Sequence, residues 1–203
     1  MTTPLMHPAA LPTWQQRWAL RALQVFGWHV RMAPLPGPRG VLIIYPHTSN
    51  WDFLVGLFAK WAIGVNFRWL GKSTLFNRYS TPLLRAWGGE PIERSVASGA
   101  IERLAQRIQA ADHYWLALTP EGTRSYRDHW RSGFYHIALS ARVPLAIAYF
   151  DYVNKEVGLV DHIDLSGDVD ADLAQIRAAY AGRRGRRHEL AAPIRFQPGA
   201  SKK

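Results

Sequence analysis

The sequence contains no cysteine, which excludes disulfides, thiolate metal ligands and a cysteine nucleophile. Long hydrophobic runs are also missing. The most apolar stretches, 41–45, 61–65 and 143–150, fall well short of the ~20 residues that a membrane-spanning helix needs. Residues 1–14 lack a basic start followed by a long apolar stretch, so no secretory signal is read there and a cytoplasmic protein is expected. Acidic residues are scarce, with Asp+Glu 15 against Lys+Arg 25 and a formal charge of +10. Such an excess attracts polyanions, whether nucleic acid, anionic lipid headgroups or phosphorylated small molecules, and charge alone does not choose among them.

Several catalytic signatures are absent too. There is no Gly-x-Ser-x-Gly elbow and no His-Glu-x-x-His, and His113, His129, His136 and His162 lack metal-ligand spacing, so no metal and no cofactor are expected. Gly71-Lys72-Ser73-Thr74 looks like the end of a phosphate-binding P-loop, but Asn66 stands where the earlier glycine is required.

What is present fits one domain. The chain has 203 residues, 48% of them hydrophobic, with 9 Trp, 8 Tyr and 8 Phe, enough to build a single aromatic-rich core. Residues 13–32 read as an N-terminal amphipathic helix, with Arg17, Arg21 and Gln24 as a narrow polar stripe and Trp14, Trp18, Ala22, Leu23, Val25 and Phe26 around it. That helix suits either a bilayer headgroup boundary or packing on the domain. Residues 33–40, with three Pro and two Gly, form a linker.

Strand and helix signals then alternate. The β-branched run 41–45 reads as a strand buried on both faces, followed by a helix carrying Phe53, Leu54, Leu57, Phe58 and Trp61. Further strands are expected at 67–70, 115–119 and 144–152, and helices at 74–84, 132–141 and 170–181. Ile101, Leu104, Ala105 and Ile108, at i, i+3, i+4 and i+7, mark one more helix. The expectation is a single α/β domain over 41–181 with a largely parallel central sheet flanked by helices. Residues 182–203, with Arg183, Arg184, Arg186 and Arg187, read as a basic, mobile tail that is either solvated or drawn to anionic lipid.

Two polar clusters fall where strands end, the place where α/β sheets gather functional groups. In Pro46-His47-Thr48-Ser49-Asn50-Trp51-Asp52 the histidine lies in the loop and the aspartate about one turn into the helix. The carboxylate can hold one imidazole nitrogen and leave the other as a general base. Ser49 and Asp52 equally suit a helix cap, and spacing alone leaves both readings open. The second cluster, Pro120-Glu121-Gly122-Thr123-Arg124-Ser125, sets a flexible glycine beside a carboxylate, two hydroxyls and a guanidinium suited to phosphate, although a solvated turn would look the same.

In order and spacing these blocks resemble the glycerolipid acyltransferase family, which includes the bacterial lysophosphatidate acyltransferases. His47 and Asp52 are similar to its catalytic pair, and Gly71 to Phe76 to its second block. Gly88-Gly89-Glu90-Pro91-Ile92-Glu93-Arg94, Glu121-Gly122-Thr123-Arg124 and Val143-Pro144-Leu145 match the later ones. The resemblance implies a glycerol-3-phosphate acyltransferase-like fold in a short bacterial-type enzyme of phospholipid biosynthesis. It implies His47 as general base, Asp52 as its orienting group, and acyl transfer from acyl-CoA or acyl-carrier protein to a lysophospholipid acceptor such as lysophosphatidate. It also implies that Lys72, Arg94 and Arg124 bind the acceptor phosphate, that Glu121, Gly122 and Thr123 shape that pocket, and that Pro144 lines its far side.

Pro46 stands where many relatives have Asn, and the chain lacks their apolar N-terminal segments; both departures bear on the acceptor more than on the chemistry. Peripheral association with the inner face of the cytoplasmic membrane is expected from a long-chain substrate. The alternatives are a non-phosphate lyso-lipid acceptor, or a nonenzymatic basic protein binding nucleic acid or lipid. Nucleic acid is not expected as a partner, since it gives no reason for His47 and Asp52 to accompany the Glu121 to Arg124 block.

Overall fold

The computed structural model describes residues 13–92 and 99–197. Its elements run α1 (Trp14–Val25), β1 (His29–Met32), β2 (Arg39–Tyr45), α2 (Trp51–Ile63), β3 (Phe67–Lys72), α3 (Thr81–Ala86) and β4 (Gly89–Ile92). They continue with α4 (Ala100–Ala110), β5 (Tyr114–Leu118), α5 (Gly133–Ala141), β6 (Leu145–Asp151), β7 (Glu156–Ile163) and α6 (Val169–Ala179). Among the described residues seven strands form one sheet in the order β1-β7-β6-β2-β5-β3-β4. From β6 to β4 every pairing is parallel; β7 runs antiparallel to β6 and carries β1 parallel to itself. The expected α/β domain with a largely parallel sheet is therefore the observed one.

Strand alternation divides the core into two layers. Val41, Ile43, Leu116, Leu145 and Ile147 pack with α4, α5 and α6 on one face. Leu42, Trp115, Ala117 and Ala146 point the other way and pack with Val55, Ala59 and Ile63 of α2 and Leu23 of α1. Covering both faces is what allows central strands to be continuously apolar.

The N-terminal helix is shorter than its apolar pattern suggests. It starts on a Thr13 capping box and stops at Val25, because Gly27 adopts φ +75° and turns the chain. Residues 29–32 then form edge strand β1, with His29 and Arg31 exposed and Val30 and Met32 half-buried. The helix expected over 74–84 is a short 3-10 turn, Ser73–Leu75, followed by α3, whose start coincides with Pro82 in its first turn. Strand β4 had no clear signal because it holds Pro91, a residue tolerated on the sheet edge where β4 lies.

The largest departure is at the C-terminus. Residues 182–197 do not form a mobile tail; they run back across the C-terminal ends of the parallel strands. Tyr152 N–H, just past β6, donates to Arg184 O at 2.9 Å, Arg187 N–H to Thr48 Oγ1 at 3.2 Å, and Ala192 N–H to Glu121 Oε1 at 3.0 Å. This strap thus crosses the ends of β6, β2 and β5 in turn. No helix among the described residues is long and apolar enough to cross a membrane.

Candidate active site

Strand β2 ends at Tyr45, and the next residues loop over the sheet edge before α2 begins. Asp52, in the first turn of α2 and 1% exposed, is the hub of that loop. Its Oδ2 accepts the Thr48 and Ser49 N–H groups at 2.8 Å each, and its Oδ1 accepts the Tyr152 hydroxyl at 2.6 Å. The same Oδ2 lies 3.2 Å from His47 Nδ1. Nδ1 is buried and makes no hydrogen bond, so the 3.2 Å approach to Oδ2 is a close polar contact. The two readings of the His47 to Asp52 segment meet in one oxygen, which closes the loop ahead of α2 and faces the ring. Ser49 is not a reciprocal cap; its Oγ accepts from Trp51 N–H at 3.2 Å, and the N-cap Asn50 makes no side-chain cap bond.

Glu121 reaches the same loop from the end of β5. It is 1% exposed, and its Oε2 accepts the His47 backbone N–H at 2.6 Å while Oε1 accepts that of Ala192. Burial pushes its carboxyl up to about 7, against the pull of these two N–H groups and with a further upward contribution from Asp52. Gly122 follows in the left-handed region at φ +65°, which favours glycine, and the Arg131 side chain lies 2.9 Å from where a Cβ would stand. Thr123 Oγ1 accepts from Ser125 N–H at 3.3 Å within the turn, and Arg124 Nε donates to Ser49 O at 3.2 Å. The two clusters singled out in the sequence are thus bonded into one constellation.

A sequence model of the acyltransferase family matches residues 29–149, which spans β1 to β6 and both clusters. The chain belongs to the acyltransferase family. Among solved structures, this acyltransferase is similar in fold to the 1-acyl-sn-glycerophosphate (LPA) acyltransferase PlsC from Thermotoga maritima, with a TM-score of 0.55 at 15% identity, over 81% of this chain and 76% of that one. No curated protein matches the chain in sequence.

The remaining expected site residues of the acyltransferase fall in three places. Lys72 is exposed at the end of β3, two strands from β2 and on the same sheet edge as His47. Ile92 of β4 pairs with Lys72, and Arg94, two residues on, lies outside the described residues. Pro144 is not at the site. Its carbonyl accepts from Val41 N–H, which puts it at the opposite end of β2, roughly 20 Å of strand from His47. The placement expected for it fails because β6 runs parallel to β2, so a residue at its start cannot meet one past the end of β2.

Three groups that sequence reasoning missed complete the constellation. Tyr152 holds Asp52, its phenol pushed up by burial first and then by the Asp52 carboxylate, so it stays a donor. Ala192 and Thr48 fasten the strap. None had a local signal, since their partners stand from 71 to 139 residues away.

Proposed function

We propose that this acyltransferase moves a fatty acyl group from acyl-CoA or acyl-carrier protein to the hydroxyl of a lysophospholipid such as lysophosphatidate, with His47 as general base and Asp52 as its orienting group. The observation that carries the reading is the Asp52 hub. Three donors fix the carboxylate 3.2 Å from Nδ1, so a bond from that nitrogen to Asp52 would leave the other ring nitrogen free to act as the base. In the transfer, Nε2 takes the acceptor proton as the oxygen attacks the thioester carbonyl. The C–O ester bond forms, the C–S bond breaks, and the imidazolium returns its proton to the departing thiolate.

The acceptor headgroup is assigned to the flank formed by Lys72 and Arg124. Arg124 uses Nε on Ser49 O, so its Nη groups are available to a phosphate, and Lys72 adds an exposed point charge. The family likeness and the PlsC neighbour support a phosphate-bearing acceptor. Approach to a bilayer is supported by α1, where Trp14 is 75% and Trp18 53% exposed beside Val25 and Phe26.

The test is transfer of labelled acyl groups, from acyl-CoA and from acyl-carrier protein, to lysophosphatidate, glycerol phosphate and monoacylglycerol. Lysophosphatidate is expected to be the preferred acceptor. In Arg124→Ala its KM should rise about tenfold to a hundredfold, as expected for a charge-assisted phosphate contact, with a smaller effect on monoacylglycerol that reports only the lost bond to Ser49 O. Wild-type transfer to monoacylglycerol as fast as to lysophosphatidate would overturn the acceptor assignment.

A further inference from the structure

The first six residues of the strap, 182–187, carry four arginines with two different fates. Arg183 is internal to the fold: its guanidinium stacks 3.9 Å above the Tyr149 ring and its Nη1 lies 3.4 Å from Glu156 and 3.5 Å from Asp151. Arg184, Arg186 and Arg187 are exposed, and among the described residues none of them is paired with a carboxylate. Three like charges within four residues repel one another, and a mobile tail would relieve that by spreading. Here the backbone forbids it. Arg184 O is bonded to Tyr152 N–H, Arg187 N–H to Thr48, and Gly185 is pressed so closely on the loop that a Cβ would stand 2.7 Å from Thr48 Oγ1 and 3.1 Å from Pro46 Cβ.

Position gives this bank its meaning. It runs from the end of β6, where Arg184 is tied to Tyr152, to the His47 loop after β2, where Arg187 is tied to Thr48, whereas Lys72 and Arg124 follow β3 and β5 on the other side. The guanidinium of Arg186 sits 5.7 Å over the Trp51 ring at the mouth of an apolar groove of about 550 Å³ between α1 and α2. Leu23, Phe26, Trp28, Leu54 and Phe58 line the groove, and Lys155 is a second cation at its edge. The reaction proposed above brings two anionic substrates to one imidazole, and the imidazole has a cationic bank on each side.

We infer that Arg184, Arg186 and Arg187, held in place by the strap, form the donor site and bind the phosphate of the phosphopantetheine arm, whose apolar acyl end then faces the groove. The inference rests on the acyltransfer reading and extends it to residues beyond the 29–149 family match. Coenzyme A and a carrier protein both present that arm, so the shared chemistry is a phosphate ester joined to pantetheine. Arginine forks suit it better than lysine would.

The experiment is calorimetric titration of the full chain, without acceptor, by CoA, by holo carrier protein and by phosphate-free pantetheine. The comparison is between wild type, a triple Arg→Gln variant at 184, 186 and 187, and the matching triple Arg→Lys variant, with thermal unfolding as the folding control. Wild type is expected to bind CoA or the carrier protein. The Gln variant should weaken that binding at least about tenfold, the Lys variant should recover part of it, and pantetheine should not distinguish them. Losses for both titrants assign the shared phosphate; a loss for one of them names the donor. The inference is overturned if wild type binds neither titrant, if the Gln variant binds as tightly as wild type, or if its loss appears only in co-sedimentation with anionic vesicles. Failure of all acyl transfer would instead overturn the acyltransfer reading, and the titrations are independent of it.

Discussion

Glu121 is held by two backbone N–H groups rather than by a cation, and this gives it a role different from the pocket-shaping one that its block suggests. It ties the His47 loop to the strap. A carboxyl that titrates near 4.5 when unfolded and near 7 when folded retains a proton that the unfolded chain has already released. Its contribution to stability is therefore complete below about pH 4.5 and is lost as pH rises through 7, a change on the order of 3 kcal/mol. Glu121→Gln cannot titrate and offers one N–H group where an acceptor is needed, so it should be less stable than wild type at low pH by about 1–3 kcal/mol. Urea unfolding from pH 4.5 to 7.5 should show that gap narrowing as pH rises. A widening gap would mean that the fold favours the ionised carboxylate.

The strap is the element whose behaviour differs most from its composition. Its arginines and glycines describe a solvated tail, yet it is fastened by backbone bonds to Tyr152, Thr48 and Glu121, by the Arg183 side chain on Tyr149, Asp151 and Glu156, by the bond from Trp130 N–H to Arg195 O, and by a tight contact at Gly185. Gly185→Ala has no strain in its own φ, since only Gly182 of this segment is left-handed, so its effect must come through the clash with Thr48. Overpacking of this kind costs about 1–3 kcal/mol, and lifting the strap relieves it. Trypsin should therefore cut after Arg184, Arg186 and Arg187 faster in Gly185→Ala than in wild type, with acyl transfer reduced in parallel. An unchanged digestion pattern would show that the strap is not seated on Thr48. Helix α1 shows the converse: its apolar excess is real, but Gly27 ends it early and the following residues pair with β7 instead.

At the scale of the whole molecule, the central fold was legible where one element carries its own period. The β-branched run 41–45 and the i, i+3, i+4, i+7 set from Ile101 to Ile108 each bury one recognisable face or both. Edge strands were not, because β1 and β4 take their conformation from neighbours distant in sequence. The same division holds at the site. His47, Asp52, Glu121 and Arg124 could be read from local motifs, and the structure brings all four together. Tyr152 and Ala192 reach them only through the fold, and Pro144 shows that a motif block can lie at the far end of the sheet.

His47→Ala tests most directly whether the His47 ring moves the acceptor proton. Glu121 bonds the His47 backbone rather than its ring, so the substitution leaves that tie intact. Single-turnover acyl transfer to lysophosphatidate by His47→Ala should fall by about 10²–10⁴-fold or more, with an unfolding transition like that of wild type. A folded His47→Ala protein that transfers acyl groups at the wild-type rate would contradict the account.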